Sequence, residues 1–118
     1  MFFPESTTKV WLCVAPTDMR KSFNGLSSLV KHQLNENALS GDLFIFVNRR
    51  KTLMKVLYFD RHGYCIWMKK LEQGAFQIPR GGADKISLDY TQLKLILEGI
   101  DLGSIRQRKR YFYRQKSQ

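Results

Sequence analysis

Acidic side chains are scarce in this chain. Ten Asp and Glu stand against twenty Lys and Arg, which leaves a formal net charge of +10 over 118 residues. Such an excess predicts an anionic partner more than it predicts any fold. Cysteine is nearly absent. Cys13 and Cys65 both lie inside apolar runs and read as buried thiols in a reducing compartment. A metal site would need a second pair of ligands, and His32 and His62 are not spaced to supply it. No apolar run reaches the length of a membrane span, and the opening MFFPESTTK lacks a charged start followed by a long apolar stretch. The expected location is therefore the cytoplasm, in association with the nucleoid. A nucleophilic triad is missing, and the stretch RGGAD is too short and badly placed for a phosphate-cradling loop. The acids are not paired by spacing. Asp60 ends one expected strand and Glu72 follows the next, Asp18 and Asp89 read as helix caps, and Asp101 lies beyond a helix end. A metal-dependent nuclease needs carboxylates converging on a divalent ion, so the expectation is a non-enzymatic chain without cofactor or metal.

Apolar residues make up 43% of the chain and aromatics 13%, which excludes wholesale disorder. The length suits one domain that buries its own core. The charge is unevenly placed: from Leu102 to Gln118 there are six basic residues and no acid, so more than half of the excess lies in the last seventeen positions. The division expected is a single α+β domain over residues 1–102 and a basic, flexible tail over 103–118.

KVWLCVA (Lys9 to Ala15) is short, apolar and ended by Pro16, so it predicts a buried strand. From Thr17 and Asp18 onward, Met19, Phe23, Leu26, Val30 and Leu34 form one apolar stripe, which predicts a long helix over residues 18–34. LFIFV (Leu43 to Val47) reads as a strand and NRRKT as a turn. LMKVLYFD and YCIWMKKL flank RHG and predict a hairpin with a three-residue loop ending at Gly63. That register sets Lys55 opposite Lys69, Val56 opposite Met68 and Leu57 opposite Trp67. AFQIP (Ala75 to Pro79) and ISL (Ile86 to Leu88) read as short strands. Asp89, with Gln92 three residues on, opens a second helix with the stripe Leu93, Ile96, Leu97 and Ile100. The fold class is α+β: a small, mainly antiparallel sheet with the long helix on one face, a shorter C-terminal helix, and a basic arm. Both hairpin faces are apolar, so the second needs a cover, either the last helix or a partner.

The candidate site is the set of cations. Arg20 and Lys21 fall in the expected first turn of the long helix, where the macrodipole disfavours positive charge. Arg49, Arg50 and Lys51 fill a turn, and Lys55, Lys69 and Lys70 sit on the hairpin. Phosphate would relieve the crowding, because helix N-termini bind anions and side-chain cations contact the backbone of nucleic acid. The structural alternative for Arg20 is a bridge to Asp60 or Glu72. In the tail, Arg106, Arg108, Lys109, Arg110, Arg114 and Lys116 interleave with Tyr111, Phe112 and Tyr113, a composition that neutralises phosphates and stacks on exposed bases.

Three stretches carry a family likeness. TDMRKSFNGL, GDLFIFVNRRKTLMKVLYFDRHGYCIWMKKLEQGAFQIP and ISLDYTQLKLILEGIDL resemble, in order and spacing, the Orf2-like accessory proteins of IS66-type bacterial insertion sequences, from about Val10 to Leu102. Ser22 and Asn24 depart from the Gly and Asp usual in the first motif, Phe59 replaces a usual Trp, and Leu102 replaces another. The resemblance implies a role in transposition, assisting a separate transposase of the same element that carries out the strand chemistry. It brings no catalytic residues. Three readings follow: a DNA-binding accessory factor acting at element ends or elsewhere, a protein adaptor docked on the transposase with little DNA binding of its own, and a small metal-dependent nuclease.

Overall fold

A computed structural model describes residues 8–79 and 81–98. Seven elements follow in order: β1 (Val10–Cys13), α1 (Phe23–His32), β2 (Leu43–Val47), β3 (Leu53–Asp60), β4 (Gly63–Lys70), β5 (Lys85–Leu88) and α2 (Tyr90–Leu97). The strands form one sheet in the order β4-β3-β2-β1-β5. The β1–β2 pairing is parallel, bridged by α1, and the other three pairings are antiparallel. The class is α+β with a mixed sheet.

Alternation along the strands builds two cores. Phe44, Phe46, Leu57 and Cys13 face α1 and pack with Leu26, Val30 and Leu34. Val10, Leu12, Ile45, Val47, Met54 and Val56 face the other way and meet Leu93, Ile96, Leu97 and Phe76. The last helix therefore covers the second apolar face. β2 is buried along its whole length, as suits the central strand of a sheet covered on both sides.

The first helix is shorter than its stripe implies. It spans ten residues, with Ser22 as N-cap. The sheet takes away the carbonyls that earlier turns would need. Lys55 Nζ donates to Met19 O and to Lys21 O, both at 2.8 Å. In a continuous helix those oxygens would accept from the N–H groups of Phe23 and Gly25. Upstream, Thr17 N–H donates to Val47 O at 2.9 Å and ties the chain to the end of β2. The first helical bond then runs from Leu26 N–H to Ser22 O. Asp18 is no helix cap: its carboxylate accepts from Arg20 N–H at 2.9 Å and grips the Arg20 guanidinium. Arg20 and Lys21 consequently stand before the helix and not in its first turn.

The hairpin register is shifted by one residue. The loop is Arg61–His62, closed by Asp60 opposite Gly63, and Leu57 faces Ile66, Val56 faces Trp67, and Lys55 faces Met68. The left-handed residue is Arg61 (φ 57°), the first loop position, and not Gly63. A one-residue slip exchanges the faces of a strand. The observed register sends Trp67 to the α2 core and Ile66 to the α1 core. It also separates Lys55 from Lys69, which would repel if directly opposed. Residues 75–79 form no strand, but Phe76 N–H donates to Lys51 O at 2.7 Å and its ring enters the second core. β5 begins at Lys85 and is the short edge. Asp89 opens α2 with the full reciprocal cap expected: Gln92 N–H donates to Asp89 Oδ1 at 2.7 Å, and Asp89 N–H donates to Gln92 Oε1 at 2.9 Å. Ile100, Gly99 and the tail cations lie outside the described residues.

Candidate nucleic-acid interface

Among the described residues, the topology gathers six of the eight cations named from sequence as an exposed group at one end of the sheet, where β2 ends, β3 begins and β4 ends. The loop before α1 reaches this end through the Thr17–Val47 and Lys55–Lys21 contacts. Lys70 arrives beside Leu53. The turn carrying Arg49, Arg50 and Lys51 lies between β2 and β3. Arg20, Lys21, Arg49, Arg50, Lys51 and Lys70 are all exposed.

The turn is rigidly built. Asn48 Oδ1 accepts from Thr52 N–H at 2.9 Å and Leu53 N–H at 3.1 Å, and its amide Nδ2 donates to Thr52 Oγ1 at 3.2 Å. Lys51 N–H closes the turn on Asn48 O at 3.0 Å. Below it, Leu71 N–H donates to Thr52 O and Phe76 N–H to Lys51 O. Three consecutive cations are thus held out by a hydrogen-bonded scaffold over residues 48–53. Lys51 itself adopts φ 59°, a left-handed conformation that costs a residue with a Cβ. Lys51→Gly is therefore expected to raise stability by about 0.5–1 kcal/mol in denaturant unfolding. No gain would mean that the Lys51 side chain stabilises the fold by a comparable amount.

Not every cation named from sequence is free to meet a ligand. Lys55 is half-buried, and its ammonium is committed to the Met19 and Lys21 carbonyls. Lys69 donates from Nζ to Leu97 O at 2.6 Å, where a cation complements the negative end of α2. These two lie on opposite faces of the sheet and act as braces. A third brace, Lys85, was not singled out in the sequence. Its Nζ donates to Leu34 O at 2.8 Å, pairs with Glu36, and lies 4.7 Å from the centre of the Trp11 ring. Its one sequence signal is a lysine at the start of a short edge strand, which does not distinguish it from the exposed ones.

Arg20 is held by Asp18 through Nε at 3.1 Å and Nη2 at 2.7 Å. Neither Asp60 nor Glu72 is its partner; those two acids lie at opposite ends of β4. The Arg20 guanidinium holds the Asp18 carboxyl down to about 2, so Asp18 is ionised at any working pH and offsets one cation of the surface. Lys21 lays its stem along α1, and Gly25 makes the room: a Cβ there would stand 3.1 Å from Lys21 Cβ. The start of α1 has no side-chain cap and no acid in its first turn, so its leading amides face the same cationic end.

Burial pushes the Cys13 thiol up, which keeps it protonated and unreactive. Cys13 and Cys65 are both free thiols, on opposite faces of the sheet. Among the described residues no group of three or more His, Cys, Asp or Glu gathers into a metal-binding cluster, and no helix is long and apolar enough to cross a membrane.

No solved structure matches the chain. Two relatives are uncharacterized proteins of Sinorhizobium fredii (strain NBRC 101917 / NGR234). One, y4hO, is 38% identical over 93 residues, covering 79% of this chain and 81% of the relative. The other, y4jC, is 26% identical over 108 residues, covering 92% of each. The sequence pattern of the IS66 Orf2-like proteins matches residues 8–107, which takes in all three motif stretches and the whole sheet. The chain belongs to the IS66 Orf2-like family of insertion-sequence accessory proteins.

Proposed function

We propose that this chain is a non-enzymatic DNA-binding accessory factor in transposition, acting beside the transposase of its element in the cytoplasm at the nucleoid. The observation that carries the proposal is the braced turn at Asn48–Thr52. A turn tied at both ends and bearing three exposed cations presents charge in a fixed place, at little cost in ordering when phosphate arrives. Lys21 and Lys70 extend the same positive end, and the uncapped amides of α1 lie beside it. The six tail cations, Arg106, Arg108, Lys109, Arg110, Arg114 and Lys116, add sequence-independent affinity.

Asp18 supplies a test whose sign separates DNA contact from scaffold. Asp18→Asn keeps the acceptor that receives Arg20 N–H and removes the charge that holds the Arg20 guanidinium. Binding to both element-end and random duplex is expected to tighten, and the slope of log K against log salt to steepen by about 1 as Arg20 gains a phosphate. Unchanged binding with a lowered melting temperature would make the Arg20–Asp18 pair a structural clasp and remove Arg20 from the interface. Absence of any salt-dependent DNA binding by the wild-type chain would favour the adaptor reading, and magnesium- or manganese-dependent cutting of DNA would favour the nuclease.

A further inference from the structure

β4 is the outer strand of the sheet, and among the described residues no strand lies beyond it. It is eight residues long and pairs with β3 without a bulge from Leu53–Lys70 to Asp60–Gly63. Edges of this kind are normally blunted by charge, proline, bulges or short length. Here the run Tyr64–Met68 contains no charge and no proline. Of the two lysines that close the strand, Lys69 already holds the Leu97 carbonyl. The opposite edge, β5, has only four residues.

Which backbone groups point outward follows from one bond. Leu71 N–H donates to Thr52 O at 2.8 Å, so Thr52–Leu71 is a hydrogen-bonded pair. Antiparallel ladders alternate. Lys69, Trp67, Cys65 and Gly63 therefore direct their N–H and C=O groups toward β3, and Tyr64, Ile66, Met68 and Lys70 direct theirs outward. The side chains of those four residues all lie on the α1 face. Met68 is 52% exposed, and Phe23 at the start of α1 is 44% exposed.

We infer that this edge pairs with the same edge of a second copy of the chain, antiparallel about a two-fold axis at Trp67. The strand is its own complement in that arrangement. Ile66 meets Met68 of the partner copy and Tyr64 meets Lys70, so every outward group between Tyr64 and Lys70 finds a partner, with about eight hydrogen bonds in all. The exposed Met68 side chain is covered by an isoleucine, and the two Trp67 residues face each other on the α2 side. The edge's free cations do not collide. Lys70 and its twin are six residues apart along the ladder, about 20 Å, which exceeds the screening length at physiological salt. The product is a continuous ten-stranded sheet with isologous contacts. It doubles the basic ends and sets them on either side of the two-fold. The pairing does not depend on DNA binding, so either can fail alone.

The test is sedimentation equilibrium of the full chain, at high salt to suppress repulsion between two strongly positive copies, and at about 100 µM, enough to populate a dimer of micromolar Kd. The expected mass is twice 13.9 kDa. Met68→Pro removes one outward N–H and no bond to β3. Met68→Lys places a charge in the centre of the edge without touching the backbone. Both are expected to give monomers with an unchanged circular dichroism spectrum. Hydrogen exchange adds a residue-level reading: the amides of Tyr64, Ile66 and Met68 are protected in the wild type and exposed in Met68→Lys. A monomeric wild type would overturn the inference, and protection of those amides in that monomer would assign the edge to another part of the same chain. A dimer that survives Met68→Lys with the amides unprotected would also overturn it.

Discussion

Replacing Lys55 with Met is expected to lower stability by about 2–3 kcal/mol, the range for losing charge-assisted hydrogen bonds to two carbonyls that then lack a protein partner. The stem keeps its volume in methionine, so packing changes little and the loss reports on the ammonium. Two bonds of 2.8 Å, to Met19 O and Lys21 O, are removed together. For a domain of this size the melting temperature should fall by about 10 °C or more, measured by circular dichroism. The same variant decides what Lys55 is for. A brace gives a large loss of stability, and at low temperature the folded protein binds DNA with a salt slope close to that of the wild type. A phosphate ligand gives a normal melting temperature and a slope reduced by about 1.

Deleting Arg106–Gln118 is expected to have the largest effect on DNA binding. Six cations and no acid leave with that segment. If every one meets a phosphate, the slope of log K against log salt falls by about 5. The loss should be the same for element-end and random duplex, because phosphate contacts carry no direct base information. Any preference for element ends that the full chain shows should survive the deletion, with the affinity of every duplex reduced. An unchanged slope would place the DNA contacts elsewhere. A loss confined to element ends would make the tail a reader of sequence.

The five strands that form were legible in the sequence because their signals are local, although AFQIP carried a similar signal and forms no strand. LFIFV is a continuous apolar run of five and became the fully buried β2. Asp89 and Gln92 stand three apart before an apolar stripe and formed the reciprocal cap of α2. The shortened α1 was not legible. Its stripe from Met19 to Leu34 is genuine, and Met19 does pack against the α1 core, but the carbonyls of Met19 and Lys21 are taken by a lysine more than thirty residues away. Periodicity contains no record of that competition. The hairpin register failed for a related reason. Gly63 invites a three-residue loop, yet the faces demanded by Ile66 and Trp67 put the left-handed conformation on Arg61.

The cations show the same division. Their identity and the NRRKT turn were readable, and the sheet brings the turn, the loop before α1 and the end of β4 to one place. Their separate tasks were not readable. Lys55, Lys69 and Lys85 each hold a backbone carbonyl on another element, and nothing in composition separates them from Lys51 or Lys70. Arg20 was expected to answer to phosphate or to a distant acid, and it answers first to Asp18, two residues before it. The positive end is therefore smaller than the number of lysines and arginines suggests, and it is centred on the turn.

The variant Arg49→Gln, Arg50→Gln, Lys51→Gln tests that centre directly, by titration against duplex DNA at several salt concentrations beside the wild type. The scaffold of the turn is made by Asn48, Thr52 and backbone groups, so the melting temperature should hold. The salt slope should fall by about 2 to 3, close to one for each cation that no longer meets a phosphate, with weaker binding at every salt concentration. Wild-type affinity and an unchanged slope in a folded variant would contradict the account: the braced turn would then be a solvated surface feature, and the basic end of the sheet would not be where this protein meets DNA.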